Sequence, residues 1–264
     1  MNTFLLLLLC PLALAACGGT SDAPEQAAKP QLAFITNGVG AFWTIASKGV
    51  EVAAKEFNAD AEVQMPGEGV ADQKRIVQAM LARGIDGIAI SPIDPDNQTA
   101  LLNEAAANTN LITHDSDAPK SNRLVFIGID NYSAGRECGK LVKEALPDGG
   151  NIMIFVGRLE QLNARQRRQG VIDELFDRSF DPERRDPNSG VIAGDKYTVL
   201  DTRTDQFDYA KAKAQVEDAI AKYPDLNGVV GLFAYNPPLA LEAIKEAGKT
   251  GEIQIIAFDE EDPT

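Results

Sequence analysis

Histidine occurs once in the 264 residues, tryptophan once and cysteine three times. A lone imidazole, His114, excludes a His-rich metal centre and an HExxH helix. The chain also lacks a GxSxG nucleophile elbow and a GxxxxGK[ST] phosphate loop. Neither a metal nor a cofactor is expected, and no catalytic residue is assigned. Positive charge is in deficit, with 25 Lys and Arg against 39 Asp and Glu and a net charge of −14. Phosphate backbones repel such a chain, so nucleic acid is not an expected partner. Long hydrophobic runs are missing too. The longest, Phe4 to Ala16, is shorter than the roughly 20 residues of a spanning helix.

What is present begins where that run ends, at Leu14-Ala15-Ala16-Cys17. Small residues before a cysteine, closing a short apolar segment, mark an exported and processed N-terminus. The tetrapeptide resembles a bacterial lipobox, which implies a signal peptide over 1–16 and a lipid-bearing Cys17. Several acyl chains hold a protein on a membrane stably. The expected product is a periplasmic, membrane-anchored lipoprotein. Gly18 to Pro30 is small, polar and Pro-containing, and reads as a flexible tether. With Cys10 removed and Cys17 acylated, only Cys138 remains, so no intrachain disulfide is expected. Cys138 falls in a helical pattern and reads as a packed residue.

From residue 31 onward, short apolar runs alternate with amphipathic stretches. Strands are expected at Leu32–Thr36, Glu62–Met65, Gly87–Ile90, Asn110–Thr113, Val125–Ile129, Asn151–Val156, Tyr197–Leu200, Gly228–Phe233 and Gln254–Phe258. Helices fall between them, including one capped by Asp72 and one opening at Leu239, and 179–196 reads as a polar loop. Strict alternation argues for α/β architecture with parallel sheets covered by helices on both faces. Runs such as IMIFV and VVGLF suit strands buried on both sides. Two sheets are expected, in an N-terminal lobe over 31–131 and a C-terminal lobe over 132–264.

Ligands of open α/β sheets bind beyond the carboxyl ends of the strands. Hydrogen-bonding residues crowd those ends: Asn37, Ser91, Asp115, Asn131, Arg158, Asp201, Asn236 and Asp259. Aromatics stand there too, namely Phe42, Trp43, Tyr235 and Phe258. Arg165 is singled out in the helix after Val156. Carboxylates, amides and a guanidinium satisfy sugar hydroxyls, and aromatic faces cover the apolar faces of a ring.

Gly40-Ala-Phe-Trp, Gly84-Ile-Asp-Gly-Ile-Ala-Ile-Ser-Pro, Thr113-His-Asp-Ser-Asp-Ala-Pro, Gly128-Ile-Asp-Asn-Tyr-Ser-Ala-Gly, Ala164-Arg165 with Gly170, Tyr223-Pro-Asp-Leu-Asn-Gly-Val-Val and Ala257-Phe-Asp-Glu succeed one another in order. In that order the chain resembles periplasmic sugar-binding proteins of the ribose-binding (type I) group, the solute receptors of ABC importers. The resemblance implies two Rossmann-like lobes joined by a hinge, with a monosaccharide clamped between them. It also implies ligand contacts from Phe42, Trp43, Ser91, Asp115, Arg165, Asn236, Phe258 and Asp259. Gly40, Ser116 and Pro237 depart from the ribose pattern, so a different monosaccharide or a polyol is as fitting. Family chains cross back to the first lobe beyond the point where this sequence ends, so a C-terminal part is expected to be missing. The implied partner is an inner-membrane ABC permease, and the implied state is a monomer. The alternative is a ligand-presenting subunit for a membrane sensor kinase or chemoreceptor.

Overall fold

A computed structural model of the protein describes residues 28–259. The signal segment, Cys17 and residues 18–27 of the tether lie outside the described residues, as do 260–264. Among the described residues, no helix is long and apolar enough to cross a membrane.

The first lobe comprises β1 (Gln31–Ile35), α1 (Ala41–Glu56), β2 (Asp60–Gln64), α2 (Val70–Ala82), β3 (Gly87–Ile90), α3 (Pro95–Asn108), β4 (Asn110–His114) and β5 (Phe126–Ile127). Its sheet is parallel, in the order β2-β1-β3-β4-β5. The second lobe comprises α4 (Asn131–Ala145), β6 (Gly150–Val156), α5 (Leu162–Leu175), β7 (Ile192–Ala193), β8 (Tyr197–Thr204), α6 (Tyr209–Lys222), β9 (Leu226–Gly231), α7 (Asn236–Glu246) and β10 (Gln254–Ala257). Its order is β10-β9-β6-β8-β7, parallel except for the antiparallel edge strand β7. Both sheets wind alike: β1, β2, β3 and β4 occupy the places of β6, β8, β9 and β10.

Burial of both sheet faces explains the apolar strands. Along β6, Ile152, Ile154 and Val156 enter one core cluster. Met153 and Phe155, pointing the other way, enter a second, as the two-residue period of a strand requires. In the first lobe, Ile35, Ile88, Ile90, Leu102 and Leu111 form a third cluster. Cys138 packs in the second-lobe core, and burial pushes its thiol up to about 12.

Several boundaries differ from those read in the sequence. The helix expected to be capped by Asp72 begins at Val70, and the Asp72 carboxylate instead accepts the Gly67 N–H at 2.9 Å. α7 starts at Asn236, three residues before Leu239, because prolines tolerate a first helical turn. The loop over 179–196 contains the short strand β7. β8 runs on to Thr204, past a register shift opposite Ile152 and Met153. Asp201 and Thr202 are therefore inside the strand, not beyond it.

The helix pair that opens the second lobe sets which side of α5 turns inward. Asp130 caps α4 by accepting the Tyr132 and Ser133 N–H groups, each at 3.1 Å. α4 then meets α5 backbone to backbone. A methyl group on Gly135 would strike the Arg167 carbonyl, and one on Gly170 the Tyr132 carbonyl. Only glycine permits that approach.

Candidate functional site

The carboxyl ends of the two sheets converge on one pocket, with an empty volume of about 500 Å³ that includes space open to solvent. The first lobe contributes Asn37, Phe42, Trp43 and Asp115, and the second Arg167, Phe207, Tyr209, Phe233, Tyr235 and Asp259.

The first lobe's polar groups are tied to one another. Trp43 Nε1 donates to Asn37 Oδ1 at 3.0 Å. Asn37 Nδ2 donates to Ser91 Oγ at 3.0 Å and to Asp115 Oδ2 at 3.1 Å. Ser91 Oγ donates in turn to Asp115 Oδ2 at 2.8 Å. Asp115 adopts the left-handed backbone, φ 57°. Burial pushes its carboxyl above the ordinary carboxylate range, opposed first by the charge of Arg167.

Arg167 is the hub of the second lobe. Its Nε donates to Asn131 Oδ1 at 2.9 Å, and Nη1 donates to the Leu232 carbonyl and to Asp259 Oδ2, both at 2.9 Å. The guanidinium carbon lies 4.0 Å from the Phe258 ring centre and 5.6 Å from that of Phe233. Beside it stands an aromatic wall. Phe207 stacks on Phe233 at 5.7 Å, and Tyr209 on Tyr235 at 4.8 Å. Asp205 braces the wall by accepting Tyr235 Oη, Asn236 Nδ2 and the Phe207 N–H. Burial raises the Asp205 carboxyl, and both burial and Asp205 raise the Tyr235 hydroxyl.

The lobes touch across the cleft. Asn163 Nδ2 donates to Asp115 Oδ2 at 3.2 Å, and Arg165 Nη1 to Asp96 Oδ2 at 2.8 Å. Such an arrangement can hold a polyhydroxylated guest by hydrogen bonds and ring stacking. The described pocket residues include no nucleophile paired with a base. His114 stacks on Phe34 at 4.1 Å below the pocket, and burial lowers its imidazole to about 4. Among the described residues, no group of three or more His, Cys, Asp or Glu is arranged to hold a metal ion.

Residues 32–264 match the family described as periplasmic binding protein domain. The chain belongs to that family. The ribose import binding protein RbsB of Escherichia coli is 26% identical over 189 residues, covering 69% of this chain and 56% of the relative. The chain thus spans just over half of that protein's length. A solute-binding protein of an ABC transporter from Burkholderia graminis, solved with D-arabinose, superposes with a TM-score of 0.77 at 24% identity, covering 87% of this chain and 76% of the other. The fructose-binding periplasmic domain of a hybrid two-component system superposes with a TM-score of 0.78 at 18% identity, covering 89% and 74%. These relatives agree with the ribose-type resemblance carried by the sequence motifs, and the structural likenesses establish the type I fold.

Within this family member the nine expected ligand residues divide. Asn37, Phe42, Trp43, Asp115 and Asp259 line the pocket. Ser91 lies behind Asp115 and holds it. Phe258 lies under the Arg167 guanidinium. Asn236 is turned inward, bonding Asp205 and the Phe233 N–H. Arg165 points to Asp96 and does not line the pocket. The pocket guanidinium is Arg167, two residues on. Phe207, Tyr209 and Phe233 were missed as well. A signal for Arg167 existed: Asn163, Arg167 and Gly170 are spaced i, i+4, i+7, one stripe of a helix, and Arg165 is off that stripe.

Proposed function

We propose that this protein is an extracytoplasmic receptor that closes its lobes on a monosaccharide or related polyol and delivers it to an ABC permease. One observation carries the reading. Asp115 and Asp259, from equivalent strand ends of opposite lobes, flank the Arg167 guanidinium beside aromatic faces. Carboxylates accept sugar hydroxyl protons, the guanidinium donates to hydroxyl oxygens, and rings cover C–H faces. Charge-assisted bonds of this kind contribute about 1.5–3 kcal/mol each. The sugar favours the closed form only through its higher affinity for it. The chain acts by binding, and transport energy comes from the permease's ATPase.

The Leu14-Ala15-Ala16-Cys17 motif supports export and lipidation at Cys17, with a monomer tethered in the periplasm. Incorporation of labelled palmitate that disappears in Cys17→Ser tests the anchor. A second reading, ligand presentation to a sensor kinase, draws on the likeness to the two-component fructose-binding domain. Co-purification with a permease or with a kinase separates the two. For the site itself, calorimetry with a panel of monosaccharides and polyols is the test. Unchanged affinity in both Asp115→Ala and Asp259→Ala would remove this cleft from consideration.

A further inference from the structure

The polar groups and the ring wall of the pocket adjoin at Arg167, whose guanidinium carbon lies 5.6 Å from the Phe233 ring centre, and the wall runs on from there through Phe207 and Tyr235. Among the described residues, the side chain of Asp115 is bonded through Oδ2, that of Asp259 through Oδ2, and that of Arg167 through Nε and Nη1. Asp115 Oδ1, Asp259 Oδ1 and Arg167 Nη2 therefore have no hydrogen-bond partner among the described residues. They lie together: Asp115 responds to the charges of both Arg167 and Asp259, and Asn131 ties the Asp115 carbonyl to Arg167.

The wall is made of the Phe207, Phe233, Tyr209 and Tyr235 rings. Phe207 and Phe233 have no polar atom to offer. The Tyr235 hydroxyl donates to the buried Asp205 at 2.5 Å. Asn236, which the sequence pointed to as a hydroxyl binder, is consumed by Asp205 and the Phe233 N–H. Across from these rings stand Val39 and the exposed face of Phe42. The loop that carries Phe207 is held in place against its backbone preference, since Gln206 and Phe207 both have left-handed φ, 64° and 65°. Asp205 fixes it by accepting the Phe207 N–H at 2.8 Å. Consecutive left-handed non-glycine residues persist only where their surroundings enforce them.

We infer that the pocket selects a deoxy sugar, a ring with hydroxyls along one edge and a methyl or methylene group on another edge, turned to the rings. This rests on the sugar-binding reading above and adds the ligand's chemical class. The hydroxyl edge meets Asp115 Oδ1, Arg167 Nη2 and Asp259 Oδ1. The deoxygenated edge meets Phe207, Phe233 and Tyr235. A parent sugar bearing one more hydroxyl there would bury it against the Phe207 and Phe233 faces, which carry no polar atom, and an unpartnered buried hydroxyl is unfavourable.

The test is calorimetry of the full-length protein with matched pairs: L-rhamnose against L-mannose, L-fucose against L-galactose, and 5-deoxy-D-ribose against D-ribose. At least one deoxy member is expected to bind about 10- to 100-fold more tightly than its parent, the range an apolar pocket achieves against an added hydroxyl. Phe233→Asn supplies a polar partner on the ring wall and is expected to shrink that ratio, even if both affinities fall. Parents that bind as well as or better than their deoxy partners would overturn the deoxy-sugar assignment and leave sugar binding standing. No heat with any sugar or polyol would overturn both.

Discussion

β4 and β10 hold the same place in their sheets, and each delivers an aspartate in the left-handed backbone, Asp115 at φ 57° and Asp259 at φ 63°. Their settings differ. Asp115 is bonded by Asn37 and Ser91 within its lobe and by Asn163 from the other, whereas among the described residues the Asp259 carboxylate is bonded by Arg167 alone. The neighbouring strands diverge in the same sense: Ser91 comes after β3, while Leu232 and Phe233 come after β9. The first lobe has a preformed polar network with Trp43 locked into it. The second has one guanidinium and a wall of rings. A wall organised before the guest arrives loses less freedom on binding, so the first lobe orients the ligand and the second supplies charge and cover on closure.

The largest effect is expected from removing the second lobe's hub. Arg167 is 5% exposed and holds Asn131, the Leu232 carbonyl and Asp259. Arg167→Met should lower the unfolding free energy by about 3 kcal/mol, because Asn131 Oδ1, the Leu232 carbonyl and Asp259 all lose their shared donor. Affinity should fall about 100-fold with the lost charged donor. Denaturant titration and calorimetry read the two effects. Changes below about 0.5 kcal/mol in both, the level of an ordinary surface substitution, would make the lobes alike in their dependence on charge.

The next effect belongs to the first lobe. His114 titrates at about 4 when folded, against an ordinary 6.5, because burial opposes its charged form. The unfolded chain therefore binds the proton first. Stability is fully present above about pH 6.5 and declines as pH falls toward 4, by about 3 kcal/mol in all. Asp115 and Asp205 act in the opposite sense, since burial raises both carboxyls and acid then favours the folded form. The difference between the parent protein and His114→Gln isolates the imidazole. Trp43, the single tryptophan, lies 5.7 Å from His114 and reports on this lobe by fluorescence. Identical pH profiles in the two proteins would refute the assignment.

The two aspartates sharpen the comparison further. Asp115→Ala leaves the buried Ser91 hydroxyl without its acceptor and the Asn37 amide with Ser91 Oγ alone. It should cost about 2 kcal/mol of stability as well as affinity. Asp259 has a side chain 29% exposed, and Asp259→Ala should weaken binding while costing stability about 1 kcal/mol or less. Equal losses of stability would mean the first lobe is no more preorganised than the second.

Much of this was legible in the residues. Apolar runs separated by amphipathic stretches disclosed the alternation of strands and helices. Reading past each strand end disclosed Asn37, Asp115 and Asp259, because those aspartates stand directly after the apolar runs. What failed had a local cause. β8 keeps pairing with β6 beyond its register shift and ends at Thr204, not Leu200, so Asp205 and Phe207 were hidden in what read as the approach to a helix. Arginines at 165, 167 and 168 are equivalent as composition. The stripe of Asn163, Arg167 and Gly170, with Gly170 packed against α4, is what separates Arg167 from the other two. Asn236 was identified as an edge residue, but no pattern in sequence says that a carboxylate thirty-one positions earlier takes its amide.

The smallest effect is expected at Arg165, and it tests that last distinction. Arg165 reaches across the cleft to Asp96, which also takes Lys120, and the hydrogen bond from Arg165 leads the influences holding the Asp96 carboxyl below its ordinary range. The two side chains are 22% and 46% exposed, so the pair works in a screened setting where such bridges contribute about 1 kcal/mol or less. Its contribution is to the closed arrangement, since it joins one lobe to the other without lining the pocket. Arg165→Ala should therefore weaken ligand affinity by no more than about 5-fold. The deficit should vanish near 1 M salt, where the screening length falls to about 3 Å. A salt-independent loss as large as that of Arg167→Met would place Arg165 on the ligand. The charge facing the guest would then come from two arginines of α5, and the lobes' division of labour would need redrawing.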